Sequence, residues 1–211
     1  VMQQLQARHE SLATAESCTG GYIAHLITSI PGSSSIFKGS VVAYANEIKV
    51  NQLGVENSVL QSEGAVSKAV VEQMALGALK NLNSDFAIAT SGIAGPGGGS
   101  AEKPVGLVWI AVASKDGMFS KEFKFGDNHK RTILMASLTA INLLRKEPLA
   151  TAHTTGNSRS AFTPDTCCAL RARSSPKTPA VFFAATFVIK ATSSNTVAIS
   201  SSSVNKLAPA T

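Results

Sequence analysis

A serine, a lysine and a glycine-rich run are the parts of this sequence whose types and spacing could do chemistry. Ser17 stands in Glu16-Ser17-Cys18-Thr19-Gly20-Gly21, between the apolar stretch Leu12-Ala13-Thr14-Ala15 and a helical pattern. A serine where a strand turns into a helix places its hydroxyl beside free backbone N–H groups. Those donors and the helix dipole would stabilise an oxyanion developing on a substrate. The same run also reads as an ordinary Ser/Thr cap before a glycine turn.

The lysine stands in Tyr44-Ala45-Asn46-Glu47-Ile48-Lys49. A cation in the first turn of a helix is electrostatically misplaced, which hints at a task beyond surface solvation. To act as a base it must lose its proton. Its pKa must therefore fall from about 10.4 toward roughly 7–8 through burial. A carboxylate at Glu16 or Glu47 would oppose that fall if it faced the amine, so the orientation of both matters. A serine paired with a lysine is one recurring solution to acyl transfer and needs neither metal nor cofactor.

The third element is Ser91-Gly92-Ile93-Ala94-Gly95-Pro96-Gly97-Gly98-Gly99, directly after the apolar run Phe86-Ala87-Ile88-Ala89. Glycines at the carboxyl end of a buried strand let a ligand approach the backbone closely. The run does not fit the dinucleotide fingerprint, because Ser100 stands where the third glycine belongs. Lys103 has no glycine before it and no Ser or Thr after it, so this is not a P-loop. The histidines, His9, His25, His129 and His153, show no metal spacing. His129, Lys130 and Arg131 form a basic cluster at the start of the last helical pattern, read either as a phosphate contact or as a solvated turn. Cys18 has no evident histidine partner and reads as packing.

The elements that must hold these residues alternate in type. Leu12–Ala15 predicts a strand. A helix from near Thr19 carries Ile23, Leu26, Ile27 and Ile30 and stops before Pro31-Gly32. Val41–Tyr44 predicts the next strand, and Asn46 caps a short helix over Glu47–Leu53 that ends at Gly54. Ser67 caps a longer helix whose apolar face is Val70, Val71, Met74, Ala75, Ala78, Leu79 and Leu82. Phe86–Ala89 predicts a buried central strand. Gly106–Ala113 and Phe119–Phe125 predict two more, joined by an Asp116-Gly117 turn. Lys130–Lys146 predicts a final helix with Ile133, Leu134, Ser137, Leu138, Ile141 and Leu144 inward. The expected fold is a layered α/β domain, a mixed sheet flanked by helices.

Charge divides this domain from the remainder of the chain. Residues 1–147 hold 13 Lys/Arg against 12 Asp/Glu, whereas residues 148–211 hold 6 against 1. The net basicity therefore belongs to the tail, and the domain has no basic patch with interleaved aromatics to suggest nucleic acid. Of the 64 residues from Pro148 on, 37 are Ala, Ser, Thr or Pro. That low complexity reads as a disordered tail or as non-native coding sequence. No apolar run is long enough for a membrane span, and the N-terminus lacks the pattern of a signal peptide. A chain that begins at Val1 reads as a fragment or a processed form. The three cysteines, Cys18, Cys167 and Cys168, form no disulfide framework or metal motif, and a reducing, cytoplasmic setting is expected.

Taken together, these elements resemble the C-terminal domain of the CinA (competence/damage-inducible) family, also known as the PncC nicotinamide-nucleotide amidase. The resemblance rests on Ala15–Gly21, Pro31–Ser34, Val42–Lys49, Gly64–Ser67 and Ser91–Gly99 running on to Glu102–Gly106, in that order, and extends to about residue 147. Some members carry an additional N-terminal domain that these residues do not include. The resemblance implies a reaction: nicotinamide mononucleotide and water give nicotinic acid mononucleotide and ammonia. It implies Ser17 as nucleophile, Lys49 as its base and Tyr44 as an aid to proton transfer. Thr19, Gly20, Gly21, Ser91, Gly92, Gly95 and Arg131 are the candidates for substrate binding, with Arg131 on the phosphate. Ser91 stands where the family is expected to have threonine and keeps the hydroxyl. The expected partner is this small molecule, without cofactor, metal, nucleic acid or membrane; a homo-oligomer stays open.

Two other readings compete. A short-chain dehydrogenase also uses Ser, Tyr and Lys, but it requires Tyr and Lys four apart on one helix face. Here Ile48 occupies that place, and Lys49 is one residue too far. A non-catalytic nucleotide-binding or regulatory module would use the glycine loop and Arg131 without turnover.

Overall fold

The computed structural model describes residues 1–146. The expectation for the tail at 148–211 falls outside the described residues. Five strands form one sheet in the order β2-β1-β3-β4-β5. They are β1 (Leu12–Glu16), β2 (Phe37–Val42), β3 (Phe86–Gly92), β4 (Leu107–Ser114) and β5 (Gly117–Lys124). β1 runs parallel to both β2 and β3, whereas β3–β4 and β4–β5 are antiparallel. The sheet is therefore mixed, and the apolar run Phe86–Ala89 lies in its central strand. Six α-helices accompany it among the described residues: α1 (Met2–Arg8), α2 (Tyr22–Thr28), α3 (Asn46–Leu53), α4 (Asn57–Glu63), α5 (Lys68–Asn81) and α6 (His129–Lys146).

Side chains alternate across a strand, and here the two faces differ in size. Leu12, Phe86, Ile88, Val108, Ile110 and Val112 pack with Ile23 and Ile27 of α2 and with Ala136, Ala140 and Leu144 of α6. Ala15, Ala87, Ala89, Ala111 and Ala113 pack with Leu53 of α3 and with Val70, Val71, Met74 and Ala78 of α5. The alanines let α5 lie close to the sheet. At Gly77 on α5 a Cβ would stand 2.0 Å from the Leu53 carbonyl oxygen, so α3 and α5 cross at a distance only glycine allows.

Several boundaries differ from the sequence expectation. α2 begins at Tyr22 rather than near Thr19, because Gly20 and Gly21 adopt φ of 60° and 94° and delay the helix. Ile30 lies beyond its end and is exposed. β2 is placed earlier than Val41–Tyr44. Asn46 is the first residue of α3, and Ala45 is its cap without a side-chain bond. Ser67 does cap α5, accepting from the Val70 N–H at 3.4 Å. The hairpin turn is Lys115-Asp116, since Ser114 pairs with Gly117. On α6 the inward residues are Thr132, Ala136, Ser137, Ala140, Leu143 and Leu144, while Leu134 and Leu138 are exposed. Helices α1 and α4 are additions to the elements that the sequence pattern predicts.

Candidate active site

Chain order places the site. From β1 the chain passes to β2 on one side, then to β3 on the other, so the strand order reverses between β1 and β3. In open α/β sheets a crevice forms outside the carboxyl ends of the strands at such a switch point. Ser17 follows β1 there, and Ser91-Gly92 closes β3. A pocket of about 320 Å³ opens at this point, lined by Ser17, Cys18, Tyr44, Lys49, Ser91 and the glycine loop among others.

Ser17 is 9% exposed. Its N–H donates to the Thr90 carbonyl at 3.0 Å, which ties it to β3. Lys49 is only 1% exposed, and it enters the pocket from the first turn of α3. Its Nζ donates to the carbonyls of Ala43 at 2.8 Å and Tyr44 at 3.2 Å. Burial pushes its pKa below the ordinary lysine value, and the nearby Cys18 opposes this. Among the described residues no carboxylate forms an ion pair with it. Glu47 is exposed. Glu16 is buried at the end of β1 and turned to the start of α2, where its oxygens accept from the N–H groups of Gly21, Ile23 and Ala24. Neither acid is placed to hold the lysine in its charged form.

That arrangement of Glu16 alters the expectation for Ser17. The start of α2 is five residues beyond the serine, and its donors are taken by Glu16. An oxyanion at Ser17 would have to find its donors in the pocket wall rather than at this helix end. The neighbouring Cys18 is poorly suited to attack. Burial pushes its thiol up to about 12, and the charge of Glu16 adds to the shift. A thiol held protonated in this way is a weak nucleophile.

Of the residues singled out in the sequence, the structure brings Ser17, Tyr44, Lys49, Ser91, Gly92 and Gly95 to one pocket. Tyr44 is 74% exposed at its mouth. The buried Ser91 hydroxyl donates to the Ala65 carbonyl at 2.7 Å, holding the segment before α5 against the end of β3. At Gly92 a Cβ would meet the Leu107 carbonyl at 2.6 Å; at Gly95, with φ of +85°, it would meet Val105 Cγ1 at 2.5 Å. Both glycines are thus required by close packing as well as by their place in the loop. Thr19, Gly20, Gly21 and Arg131 do not line the pocket. Thr19 is buried and bonded to Glu16 and Thr90. Arg131 is exposed, and its backbone N–H donates to Asn128 Oδ1 at 3.0 Å.

Two lining residues carry different expectations in the sequence. Asn46 reads there as a cap. His129, which reads only as part of a basic cluster, lines the pocket and sits 2.6 Å by its Nδ1 from the Gly95 carbonyl. Because a carbonyl only accepts, Nδ1 is the protonated nitrogen, and the ring pins the glycine loop to α6. Lys103 Nζ holds the same loop from its other end by donating to the Glu63 carbonyl. Among the described residues no group of three or more His, Cys, Asp or Glu could hold a metal. Nor is any described helix long and apolar enough to cross a membrane.

Residues 1–147 match the family described as the CinA C-terminal domain. The chain is 49% identical over 152 residues to a CinA-like protein of Thermosynechococcus vestitus, covering 71% of this chain and 36% of that one. It is 50% identical over 147 residues to a CinA-like protein of a Synechococcus species, covering 69% of this chain and 35% of that one. The chain thus spans about a third of the length of these relatives. Among solved structures it is similar to the competence/damage inducible protein CihA from Agrobacterium tumefaciens. The TM-score is 0.67 at 43% identity, over 68% of this chain and 88% of that one. It is also similar to the competence damage-inducible protein A (ComA) from Klebsiella pneumoniae. There the TM-score is 0.68 at 34% identity, over 72% and 92% of the two chains.

Proposed function

The chain belongs to the CinA C-terminal domain family, and we propose that its pocket hydrolyses the carboxamide of nicotinamide mononucleotide to give nicotinic acid mononucleotide and ammonia. The observation that carries this reading is the state of Lys49: buried, lining the same pocket as Ser17, bonded among the described residues to the backbone carbonyls of Ala43 and Tyr44, with its pKa lowered by burial. A lysine so placed is suited to take a proton from a serine hydroxyl.

In this mechanism Ser17 Oγ attacks the carboxamide carbon and its proton passes to Lys49 Nζ. The tetrahedral intermediate collapses, the C–N bond breaks, and Lys49 returns the proton to the departing ammonia. Water then attacks the acyl-serine with Lys49 again as base, releasing the acid. Tyr44 at the mouth assists proton transfer, and Arg131 at the start of α6 meets the phosphate. Incubation of the protein with nicotinamide mononucleotide should release ammonia in proportion to acid formed, without added metal. Binding of the nucleotide with no ammonia would replace this reading by that of a non-catalytic module.

A further inference from the structure

Glu16 is a fully buried carboxylate that the proposed mechanism does not use. Oε2 accepts from the Thr19 hydroxyl at 2.8 Å, the Gly21 N–H at 3.1 Å and the Ile23 N–H at 3.0 Å. Oε1 accepts from the Ala24 N–H at 2.8 Å and, at 3.4 Å, from the Thr14 hydroxyl. One side chain thus takes the first free donors of α2 and closes the turn 17–21 over itself. The Thr19 hydroxyl also bonds Thr90 Oγ1 at 2.8 Å, and the Thr90 carbonyl holds the Ser17 N–H at 3.0 Å. The serine therefore sits inside a ring of bonds that begins and ends at Glu16.

The backbone of Glu16 reaches the other partner. Its carbonyl accepts from the Ala43 N–H at 2.8 Å, and the Ala43 carbonyl accepts from Lys49 Nζ at 2.8 Å. We infer that Glu16 is a positioning residue for the Ser17–Lys49 pair: its side chain fixes the turn that carries the serine, and its carbonyl fixes the peptide that orients the lysine. The inference rests on the acyl-transfer reading of the pocket. Glu16 does not line the pocket and touches no substrate. Its effect must then fall on the reactivity of Ser17 and not on substrate affinity. A merely structural clamp would lower thermal stability and leave the turnover of each folded molecule unchanged.

Glu16→Gln is nearly isosteric, but its amide nitrogen cannot accept, so at least one α2 donor loses its partner. Thr19→Val is milder: it removes the hydroxyl bonds to Glu16 Oε2 and Thr90 Oγ1 but leaves the three backbone donors on Glu16. Both variants should be assayed below their melting temperatures with nicotinamide mononucleotide. Independently of that substrate, the rate at which a fluorophosphonate labels Ser17 should be followed, with Ser17→Ala as blank. Labelling forms an Oγ–P bond, expels fluoride and transfers the hydroxyl proton to Lys49, so it reads the pair directly.

Glu16→Gln should lower both kcat and the labelling rate on the order of 10²-fold, the cost of a misplacement near 1 Å, with KM unchanged. Thr19→Val should give a smaller fall in both, roughly three- to tenfold. If the glutamine variant does not fold, Thr19→Val decides alone. Either folded variant keeping kcat and labelling within about twofold of the parent overturns the inference, as does a rise in KM at constant kcat. A parent that labels at Ser17 but releases no ammonia removes the amidase reading while the labelling comparison still decides on Glu16. A parent that does neither overturns both, since no activated serine is then present to position.

Discussion

Lys49 Nζ stands 2.8 Å from the carbonyl oxygen of Ala43, and the Tyr44 carbonyl is its second acceptor at 3.2 Å. A neutral amine has two N–H bonds and one lone pair. Both bonds can be kept by these carbonyls while the lone pair remains for the serine proton. The ammonium form has a third donor, and among the described residues no carboxylate answers it. The geometry thus accommodates the base form without rearrangement.

The pH dependence follows from the direction of the shift. As the proposed base Lys49 would act only when neutral, so kcat should rise with pH through its folded pKa, which burial sets below 10.5. Between the folded and unfolded values the unfolded chain holds the extra proton. Stability should therefore also rise with pH across that window. Lys49→Met should remove both trends. A kcat profile without a basic-form requirement would contradict the assignment of Lys49 as base.

Ser17→Ala and Lys49→Ala should each remove most turnover while the protein remains folded. The double variant should be little worse than either single one, because the two groups act as a unit. Near-normal ammonia release by folded Ser17→Ala would eliminate the serine mechanism altogether.

Asp85, before β3, gives a separate test at the far end of the sheet. The Ser11 hydroxyl and N–H donate to its Oδ2 at 2.7 and 2.9 Å, and Lys115 Nζ to its Oδ1 at 3.0 Å. These bonds, the Ser11 hydroxyl first, lower its pKa from 3.8 to about 2. A depressed carboxylate contributes stability above its unfolded value and loses it as pH falls through the folded one. Asp85→Asn should cost on the order of 1–2 kcal/mol near neutrality, after discounting for solvent screening of a partly exposed side chain. The difference from the parent should vanish as acid denaturation curves are carried from pH 3.8 toward about 2. A constant difference across that range would assign the effect to packing.

The close crossing of α3 and α5 predicts a stability effect without a charge. In Gly77→Ala the new methyl would stand 2.0 Å from the Leu53 carbonyl, a backbone atom that cannot swing aside. Overpacking of this kind costs roughly 1–3 kcal/mol, to be read as a lower denaturation midpoint in urea. An unchanged midpoint would mean that α3 can move away freely. Lys49 rides on α3, so kcat should fall with the same substitution.

Features with a local cause are legible in the sequence, and those with a distant cause are not. β1, β3 and β4 are apolar runs at buried positions, and α5 shows its three-and-four spacing and its Ser67 cap. Ser17 and Ser91 stand out at the ends of apolar strands, and Lys49 as a cation in the first turn of a helix. The late start of α2 is set by the left-handed Gly20 and Gly21 together with the Glu16 carboxylate, which accepts from Ile23 seven residues on; that second cause leaves no mark on the local pattern. The buried face of α6 is hidden as well. Its inward residues include the small or polar Thr132, Ala136, Ser137 and Ala140 beside Leu143 and Leu144, while Leu134 and Leu138 face outward, so hydrophobicity alone does not mark the face. His129 carries no signal for its contact with Gly95, which exists only once the loop and α6 meet.

Arg131 is two residues beyond His129, the α6 residue that lines the pocket. Residues two apart on a helix do not share a face, so the exposed Arg131 would have to reach round the first turn of α6 to meet a phosphate at the pocket rim. A cation is disfavoured in a first helical turn unless an anion is present, and the guanidinium fork matches phosphate oxygens. Losing such a contact should cost on the order of 1.5–3 kcal/mol. Arg131→Ala should therefore lower kcat/KM for nicotinamide mononucleotide by roughly ten- to a hundredfold. Nicotinamide riboside, which lacks the phosphate, should be a poor substrate for the parent and lose little further in the variant. Equal losses on the two substrates would mean that Arg131 supports α6 or the loop, and the phosphate contact would then have to be sought at His129 and the glycine-loop amides that line the pocket.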